Sequence, residues 1–433
     1  MDSDLLGTYT RELRGGWRPL LAVVIGLSSG LVMTSYTIGI MGPHLVAEFG
    51  WAKSDMALVG VLAIFAVFLF PFVGRSADVL GVRKTAAIGV IASPILFFAL
   101  SRINTLGAYA VLYTLQAAVL VTTTPPVYCR IVVQYFKEGR GLALGIASAG
   151  PALAVAVGGP FFNNFITDHG WRAGYLVLAA YTMIGGLIAL LMLPPEMRGD
   201  KSRSVPRPKR ARADYALIFR SAPFWIIFIA ILLCSLPQAV MTSQLSLILE
   251  ENGAAGKAAS IMISAYASGM IIGRLVSGVA LDRFSARWVA TISLALSGLG
   301  LLVIASGWDS RPVLFFSVLT FGLSVGAESD VVAYLVVRNF GLRLYSSVHS
   351  IVATSTAVAA VLGSVMLSVF LKNTSFYAPF LGITGVLAVL GSLLFLLLPR
   401  NPQVADESEE EEEAVIQAET LSSPSTGTGT VAV

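Results

Sequence analysis

The sequence predicts an all-α membrane protein with twelve transmembrane helices in two related halves. Hydrophobic residues make up 56% of its 433 residues and charged residues only 12%, about half the roughly 25% charge of a soluble domain. Apolar segments of about 20 residues, long enough to cross a hydrocarbon layer of ~30 Å, recur along the chain. A short charged motif also occurs twice, 204 residues apart. Repetition of a loop between apolar segments is typical of two rocking halves.

Twelve apolar segments are separated by short polar or glycine-containing turns. Their predicted bounds are 17–40, 54–74, 85–102, 106–133, 139–165, 171–194, 222–248, 258–280, 287–306, 312–337, 344–370 and 375–398. A polar linker rich in proline, serine and arginine, residues 195–221, separates six segments from six. The sequence therefore predicts an N-terminal bundle at 17–194 and a C-terminal bundle at 222–398.

The two ends of the chain have different characters. Residues 1–16 are predicted to precede the first membrane helix, because the apolar segment from Trp17 is too long for a signal-peptide core and lacks a cleavage pattern. Residues 399–433 contain a run of carboxylates followed by serine, threonine, glycine and proline. Such a segment buries no apolar surface, so we expect a disordered acidic tail.

The basic residues predict the topology. Of the 29 lysines and arginines, 22 lie on one predicted side, in the N-terminus, the motif loops, the linker and the segments near 130, 137–140, 338–343 and 400. Six lie in the opposite loops, and Arg274 lies inside a segment. Basic residues accumulate on the cytoplasmic side, so we expect both termini and the linker there. The expected location is the plasma membrane, or the bacterial inner membrane in a prokaryote. The pI near 9.0 then reflects topology and contact with lipid headgroups rather than nucleic-acid binding.

The residue patterns of enzymes and cofactor sites do not occur in this sequence. Cys129 and Cys234 fall inside apolar segments, one in each half, and fit neither a disulfide nor a metal spacing. We find no nucleophile–base set, phosphate loop or metal motif. We therefore predict a non-enzymatic protein without a cofactor or a metal.

The repeated motif keeps its register between the two copies. Gly74, Asp78 and Arg83 in the first copy correspond to Gly278, Asp282 and Arg287 in the second, whereas Gly81 is replaced by Ser285. A carboxylate at a membrane face can cap helix N-termini and pair with arginines, and such contacts break when the halves rock.

This duplicated motif resembles the loops between the second and third and between the eighth and ninth helices of the major facilitator superfamily. The resemblance implies two pseudo-symmetric six-helix bundles. It also implies a cytoplasmic charge latch that favours the outward-facing state, in which Asp78, Arg83, Asp282 and Arg287 are gating residues.

Further segments resemble the monocarboxylate and oxalate/formate branch of that superfamily. They are Arg14–Trp17, Glu48–Trp51, Tyr135–Ala147, Gly170–Ala173 and Glu328–Gly341. The resemblance therefore extends over the chain from residue 14 to about residue 345.

Three departures refine this resemblance. Tyr113 stands where many superfamily members, including drug/proton antiporters, carry an arginine. Thr37–Ile40 lacks the lysine of animal-type members near the end of the first helix, and Met270 replaces their aspartate in the eighth. The bacterial carboxylate transporters are the closer match.

Arg274 is the main candidate for binding the substrate. It lies one turn before Gly278, inside the eighth segment, and its counterpart in the first half is Phe70. Burying a guanidinium costs about 3 kcal/mol or more, so it normally faces a cavity and a partner. Its planar fork suits a carboxylate, and the resemblance assigns a substrate-binding arginine to this position. Alternatively, Arg274 extends to the cytoplasmic face and joins the latch.

Glu328 and Asp330 in the tenth segment are candidates for proton coupling. Residues two positions apart project about 200° apart around a helix, so the two carboxylates cannot share one role. A carboxylate near Arg274 can exchange a proton as the partner of the cation changes. A static ion pair between two helices is an equally good interpretation of either residue.

The remaining candidates lie in segments expected to face the cavity. Tyr36, Tyr128 and Gln238 are predicted to hydrogen-bond the substrate, although buried tyrosines more often serve packing. Arg130 follows Pro125 and a second proline that should break or kink the fourth segment. We expect Arg130 to anchor or gate rather than to bind the substrate.

These observations predict a transporter of an organic anion, most simply a carboxylate, that works as a monomer by alternating access and takes up protons with the anion. Exchange of one anion for another is the second possibility. Efflux of hydrophobic drugs or metabolites is an alternative that predicts activity without Arg274, and a membrane sensor that does not transport is a further one.

Overall fold

The computed structural model of the chain is almost entirely helical, and no strand occurs among the residues it describes. The described residues are 3–51, 59, 63–194, 211–254, 256–308, 310–374 and 376–400. The predicted acidic tail and most of the predicted linker lie outside these residues.

The first half consists of eight α-helices among the described residues. They are α1 Ser3–Ser28, α2 Leu31–Phe49, α3 Phe70–Leu80, α4 Val82–Leu100, α5 Leu106–Leu120, α6 Pro125–Tyr135, α7 Arg140–His169 and α8 Trp171–Met192. Short 3-10 helices lie at Ala63–Leu69 and Val121–Thr123.

The second part of the chain is described from residue 211, near the end of the predicted linker. Its helices are α9 Ala211–Arg220, α10 Ala222–Ser235, α11 Gln238–Glu251, α12 Lys257–Arg283, α13 Ala286–Ala305, α14 Arg311–Phe340, α15 Tyr345–Thr374 and α16 Ala378–Leu394. A 3-10 helix at Phe395–Leu397 ends the described helical part.

The predicted membrane architecture is confirmed. Among the described residues, ten helical segments are long and apolar enough to cross a membrane, from Val82–Leu100 to Ala378–Leu397. They coincide with the third to twelfth predicted segments. The first predicted segment falls on α1 and α2, which are separated at Ser29 and Gly30. The second falls partly on residues 63–80 and partly outside the described residues.

Prolines divide two of the long segments. The fourth is broken as predicted, because α6 can begin only at Pro125, whose missing N–H is tolerated in a first helical turn. The hydroxyls of Thr122, Thr123 and Thr124 donate to carbonyl oxygens three residues earlier, at 2.8, 2.7 and 2.6 Å. The seventh segment is broken in the same way at Pro237, between α10 and α11.

Two helices extend into regions that the sequence analysis placed outside the bundles. Helix α9 lies inside the predicted linker, and α1 starts well before Trp17. Helix α9 is amphipathic, with Asp214 and Ile218 buried and its other charged residues exposed. Helix α9 is too short to span a membrane, and its segment is polar in composition. The sequence analysis therefore assigned it to the linker.

Helices α12 and α14 pack backbone to backbone because each has glycines four residues apart. A Cβ atom on Gly269 or Gly273 of α12 would clash with carbonyl oxygens of α14, and one on Gly322 or Gly326 would clash with carbonyl oxygens of α12. Small residues at this spacing let membrane helices approach closely. This contact places Arg274 beside α14.

Candidate functional site

The repeated motif lies where the two halves touch, at an end of the bundle that we call the motif end; the opposite end is the far end. A Cβ atom on Gly74 of α3 would overlap the Ser346 carbonyl oxygen of α15. A Cβ atom on Gly278 of α12 would lie 2.5 Å from the Gly141 carbonyl oxygen of α7. The motif glycines therefore permit backbone contact between the halves.

Asp78 in the first motif copy caps α15 of the opposite half. Its Oδ1 accepts the Ser346 N–H at 3.1 Å, and its Oδ2 accepts the N–H and hydroxyl of Ser347 at 2.7 and 2.6 Å. Arg130 forms an ion pair with Asp78, and its Nη1 also donates to the Leu342 carbonyl oxygen at 2.8 Å. Both charged residues are buried.

Asp282 in the second copy caps α7 in the same way. Its Oδ1 accepts the Gly141 N–H at 2.6 Å and its Oδ2 accepts the Leu142 N–H at 2.9 Å. Each aspartate thus binds the second and third residues of a helix in the other half, where unpaired N–H groups and the helix dipole favour an anion. We call these two sets of contacts the motif-end latch.

The arginines of the motif itself do not supply the cation that contacts Asp78. Arg83 is exposed, and Arg287 is half-buried with no hydrogen-bond partner for its Nε among the described residues. The buried cation at Asp78 is Arg130, and Arg140 at the start of α7 attracts Asp282. The capped helices were missed in the sequence, although α7 and α15 begin at positions 205 residues apart, close to the motif repeat.

Helix α9 adds a further contact between the halves at the motif end. Arg75 of α3 pairs with the buried Asp214 of α9 at 2.7 Å, and the Tyr215 hydroxyl donates to the Pro71 carbonyl oxygen at 3.3 Å. On its other side, α9 is tied to α10 because Trp225 Nε1 donates to the Phe219 carbonyl oxygen at 2.8 Å.

The same face of α15 that touches α3 at the motif end is exposed at the far end. Ser364 and Ser368 lie 18 residues after Ser346 and Ser350, which is five helical turns and therefore the same side of the helix. Ser346 and Ser350 are buried near Gly74, whereas Ser364 and Ser368 are exposed and line a cavity of about 440 Å³. This face of α15 therefore lines a cavity at the far end, between α11 and α15.

Arg274 contacts α14 rather than the latch. Its Nη1 donates to Ser329 Oγ at 3.0 Å, and Ser329 Oγ lies 3.5 Å from Asp330 Oδ1. Arg274 also attracts the buried Asp330 electrostatically. Because Arg274 is only half-buried, this arrangement holds a cation one helical turn from Gly278 and leaves part of it accessible.

Glu328 has different neighbours from Asp330, as their helical spacing predicts. Its Oε1 accepts the Ser235 hydroxyl at 2.9 Å, and its Oε2 accepts Gln238 Nε2 at 2.9 Å. Ser235 and Gln238, together with Thr356 of α15, line a cavity of about 280 Å³. Glu328 therefore sits behind a polar cavity wall, whereas Asp330 supports Arg274.

Of the other two substrate candidates, only Tyr128 has a side chain that the structure describes. Tyr128 is fully buried against Gly26 of α1, and its hydroxyl has no hydrogen-bond partner among the described residues. The side chain of Tyr36 lies outside the part of α2 that the structure describes. Their predicted contacts with substrate stay predictions.

The two latch aspartates should differ in their contribution to stability. Asp78→Ala leaves the buried Arg130 without its carboxylate, a type of change that costs about 3–5 kcal/mol. Asp282→Ala removes a helix cap, which costs about 1 kcal/mol. We expect thermal unfolding in detergent to show a clearly lower Tm for Asp78→Ala than for Asp282→Ala.

A double variant separates this cause from general damage. Adding Arg130→Met to Asp78→Ala should restore part of the lost Tm, because the unpaired charge is gone. An equal or larger loss in the double variant would contradict the explanation.

Comparisons with known proteins agree on one family. The sequence model of the Major Facilitator Superfamily matches residues 21–243 and 227–429. The chain is 27% identical over 403 residues to human monocarboxylate transporter 11, covering 89% of this chain and 84% of the relative. It is 26% identical over 407 residues to monocarboxylate transporter 11 of Mus musculus, covering 89% and 88%.

A solved structure shows the same fold. It is the crystal structure of a bacterial homologue of the iron transporter ferroportin in an outward-facing state, with a TM-score of 0.69 and 13% sequence identity. The match covers 88% of this chain and 98% of that one. At this identity the similarity concerns the fold alone.

Proposed function

This chain belongs to the Major Facilitator Superfamily, and from that premise we propose that it is a secondary transporter that binds a carboxylate at Arg274 and moves it by alternating access. Membership of the family makes the chain an integral multi-pass membrane transporter rather than an enzyme. The substrate class, the coupling and the roles of individual residues are the content of the proposal.

The observation that carries the proposal is the position of Arg274. A half-buried guanidinium inside a membrane helix normally marks a substrate or ion pathway. Its bond to Ser329 and its attraction to Asp330 fix the cation without a direct carboxylate bond. The guanidinium can therefore receive a bidentate carboxylate from the cleft. The human relative is named a monocarboxylate transporter, which supports this substrate class.

Gating follows from the motif-end latch. We propose that Asp78 and Asp282 hold the motif end closed while the cleft between the halves opens to the far end. Once the anion neutralises Arg274, the halves rock, the caps on α15 and α7 break, and the motif end opens. Arg130 then needs a new partner, which makes it part of the gate. Arg83 and Arg287 belong to the same motif loops. They become available to pair with a carboxylate as the loops move.

Topology gives the direction of the two ends. The excess of basic residues in the motif loops and linker supports a cytoplasmic motif end with both termini on that side. The far end would then face the outside of the plasma membrane, and the structure corresponds to the outward-facing state. One chain contains both halves and the whole cleft between them, which supports function as a monomer.

Proton symport is the proposed coupling, with Glu328 as the better-placed carrier of the two carboxylates. Glu328 adjoins the cavity through Ser235 and Gln238, whereas Asp330 is the partner of Arg274. A buried carboxylate that loses or gains hydrogen-bond donors as the halves move can release or bind a proton. Exchange of one anion for another at Arg274 is the alternative. A fixed cation that binds each anion in turn suits exchange equally well, and exchange needs no proton transfer.

Uptake of a panel of radiolabelled carboxylates into proteoliposomes tests the function. We expect saturable uptake of at least one carboxylate, faster with an inward proton gradient. Gradient-independent uptake that needs a carboxylate inside the vesicle would establish exchange. Absence of transport for every carboxylate would reject the anion proposal in favour of efflux of hydrophobic compounds.

Removing the charge of Glu328 should separate coupling from binding. We expect Glu328→Gln to abolish gradient-driven accumulation but to retain carboxylate exchange across the vesicle membrane. The amide oxygen can still accept from Gln238, and the amide N–H can donate to the Ser235 hydroxyl once that hydroxyl rotates. Asp330→Asn serves as the matched comparison and should weaken binding through Arg274. Normal accumulation by Glu328→Gln would exclude this residue as the proton carrier.

A further inference from the structure

The cavity at the far end between α11 and α15 has the features of a ligand site. Its volume is about 440 Å³, within the usual range of roughly 300–1,000 Å³ for such sites. Its lining combines two leucines with three polar residues and one cation: Leu367, Leu371, Gln244, Ser364, Ser368 and Lys372. An apolar wall with a few polar groups suits a small molecule with one charged end.

The cation of this cavity has no ion-pair partner among the described residues. Lys372 is exposed and forms no ion pair with any residue that the structure describes. Glu251, a carboxylate at this end, accepts the Tyr377 N–H at 2.9 Å. Lys372 therefore attracts anions to the cavity.

Hydrogen-bond donors lie beside this cation. Ser368 is one helical turn before Lys372 on α15, so the two side chains are neighbours. Gln244 is oriented by Tyr377, whose hydroxyl donates to Gln244 Oε1 at 2.6 Å. That bond occupies the acceptor atom of the amide and leaves its N–H groups as donors. An ammonium, a hydroxyl and an amide N–H together match a carboxylate.

A second cavity lies further along α15. Thr356 lines this cavity of about 280 Å³ together with Gln238, which bonds Glu328. Glu328 immediately precedes Ser329, the contact of Arg274. Ser364 of the far-end cavity comes eight residues after Thr356, so one helix contributes to both cavities.

We propose that Lys372, Ser368 and Gln244 form a recruitment site that binds the carboxylate group of the substrate at the far end before it reaches Arg274. This inference rests on the proposed function, because it takes the substrate to be a carboxylate. The apolar part of the substrate packs on Leu367 and Leu371, and rocking of the halves closes the site as the far end narrows.

Chemical labelling of an introduced cysteine tests the site without requiring transport. Ser368→Cys is treated with an anionic sulfonatoethyl and a cationic trimethylammonioethyl methanethiosulfonate. The native Cys129 and Cys234 are only 1% and 4% exposed and give a low background. Each rate is normalised to the rate with a small thiol in solution, because a thiolate intrinsically favours the cationic reagent. We expect the normalised rate to be higher for the anionic reagent, by about threefold to tenfold for one nearby charge in water. Lys372→Ala should remove this preference.

Protection by carboxylates identifies the ligand class. Sodium lactate, oxalate and benzoate are each compared with sodium chloride at equal ionic strength. At least one carboxylate should slow labelling of Ser368→Cys, whereas chloride should not. Ser260→Cys is the matched control, since Ser260 is an exposed serine one turn after exposed Lys257 on α12 and lies outside the lining of the cavity. Its labelling should be insensitive to carboxylates.

Several outcomes would overturn the recruitment site. They are an unreactive Ser368→Cys, a charge preference that survives Lys372→Ala, equal protection by chloride, and absence of protection by every carboxylate. A transport measurement adds a second readout: Lys372→Ala should raise KM for uptake by about threefold to tenfold with kcat unchanged. Since the labelling needs no transport, its failure is distinguishable from failure of the proposed function.

Discussion

Arg274→Ala is expected to abolish saturable carboxylate uptake. Truncating one partner of a buried, hydrogen-bonded charge pair costs about 2–5 kcal/mol, so uptake should fall by roughly 30-fold to several-thousand-fold. Arg274→Lys keeps the charge but loses the planar fork that binds a carboxylate in two places. We therefore expect the lysine variant to retain weak uptake with a raised KM. The measurement is initial uptake into proteoliposomes reconstituted with equal amounts of protein.

The matched control for this loss is Arg311→Ala. Arg311 begins α14, the helix that holds Ser329, and is exposed at the far end. Its removal changes the net charge by the same amount and should leave uptake nearly unchanged. If Arg274→Ala transports like the wild type, Arg274 is not the anion site, and efflux of uncharged compounds becomes the better interpretation.

Gly278→Val is expected to prevent the motif end from closing and to stop transport. The Cβ atom alone would lie 2.5 Å from the Gly141 carbonyl oxygen on α7, and backbone cannot yield as a flexible side chain can. Forcing extra atoms into a packed contact costs about 1–3 kcal/mol. Only the closed state makes this contact, so its population relative to the open state should fall between about fivefold and 150-fold.

Distances between spin labels at the motif end report this shift. Lys137, between α6 and α7, and Arg283, at the end of α12, are exposed and belong to opposite halves. Gly278→Val should move their distance distribution to longer values. Gly158→Val on α7 is the control, because a Cβ atom at Gly158 meets nothing within 4 Å. An unchanged distribution in Gly278→Val, together with normal uptake, would show that this contact does not control closure.

Arg274 lies one turn from Gly278 on α12. The proposed anion site and the proposed gate are therefore parts of one helix. Neutralising Arg274 with a substrate changes the electrostatics beside the contact that must open. This proximity gives binding a direct mechanical connection to the latch, without a long pathway of intervening residues.

The predicted helices followed from local properties of the sequence. Apolar segments of spanning length gave ten segments that the structure confirms within a few residues. The break before Pro125 followed from the missing N–H of proline. The repeated register of Asp78 and Asp282 identified the two residues that the structure places at equivalent helix caps.

The partners across the halves could not be read from the sequence. Asp78 and Ser346 are 268 residues apart, and Arg130 is 52 residues from Asp78. The motif pattern favoured Arg83 as the neighbouring cation, but the structure leaves it exposed. Which side chain meets which depends on how each helix is rotated and how closely it approaches its neighbour, and those quantities are set by packing.

The length of each apolar segment and the repeated motif are local properties of the sequence. Transfer of each apolar residue into the membrane contributes its own free energy, so the spanning segments can be recognised without knowing the packing. The sequence alone therefore determined the fold, the two halves, and Arg274 as the candidate cation. Only the tertiary structure decided that Asp330 supports Arg274 while Glu328 faces a cavity, because the glycine contacts between α12 and α14 fix the rotation of both helices. It also decided that one face of α15 is buried against the other half at the motif end and exposed at the far end, because this depends on how the halves pack.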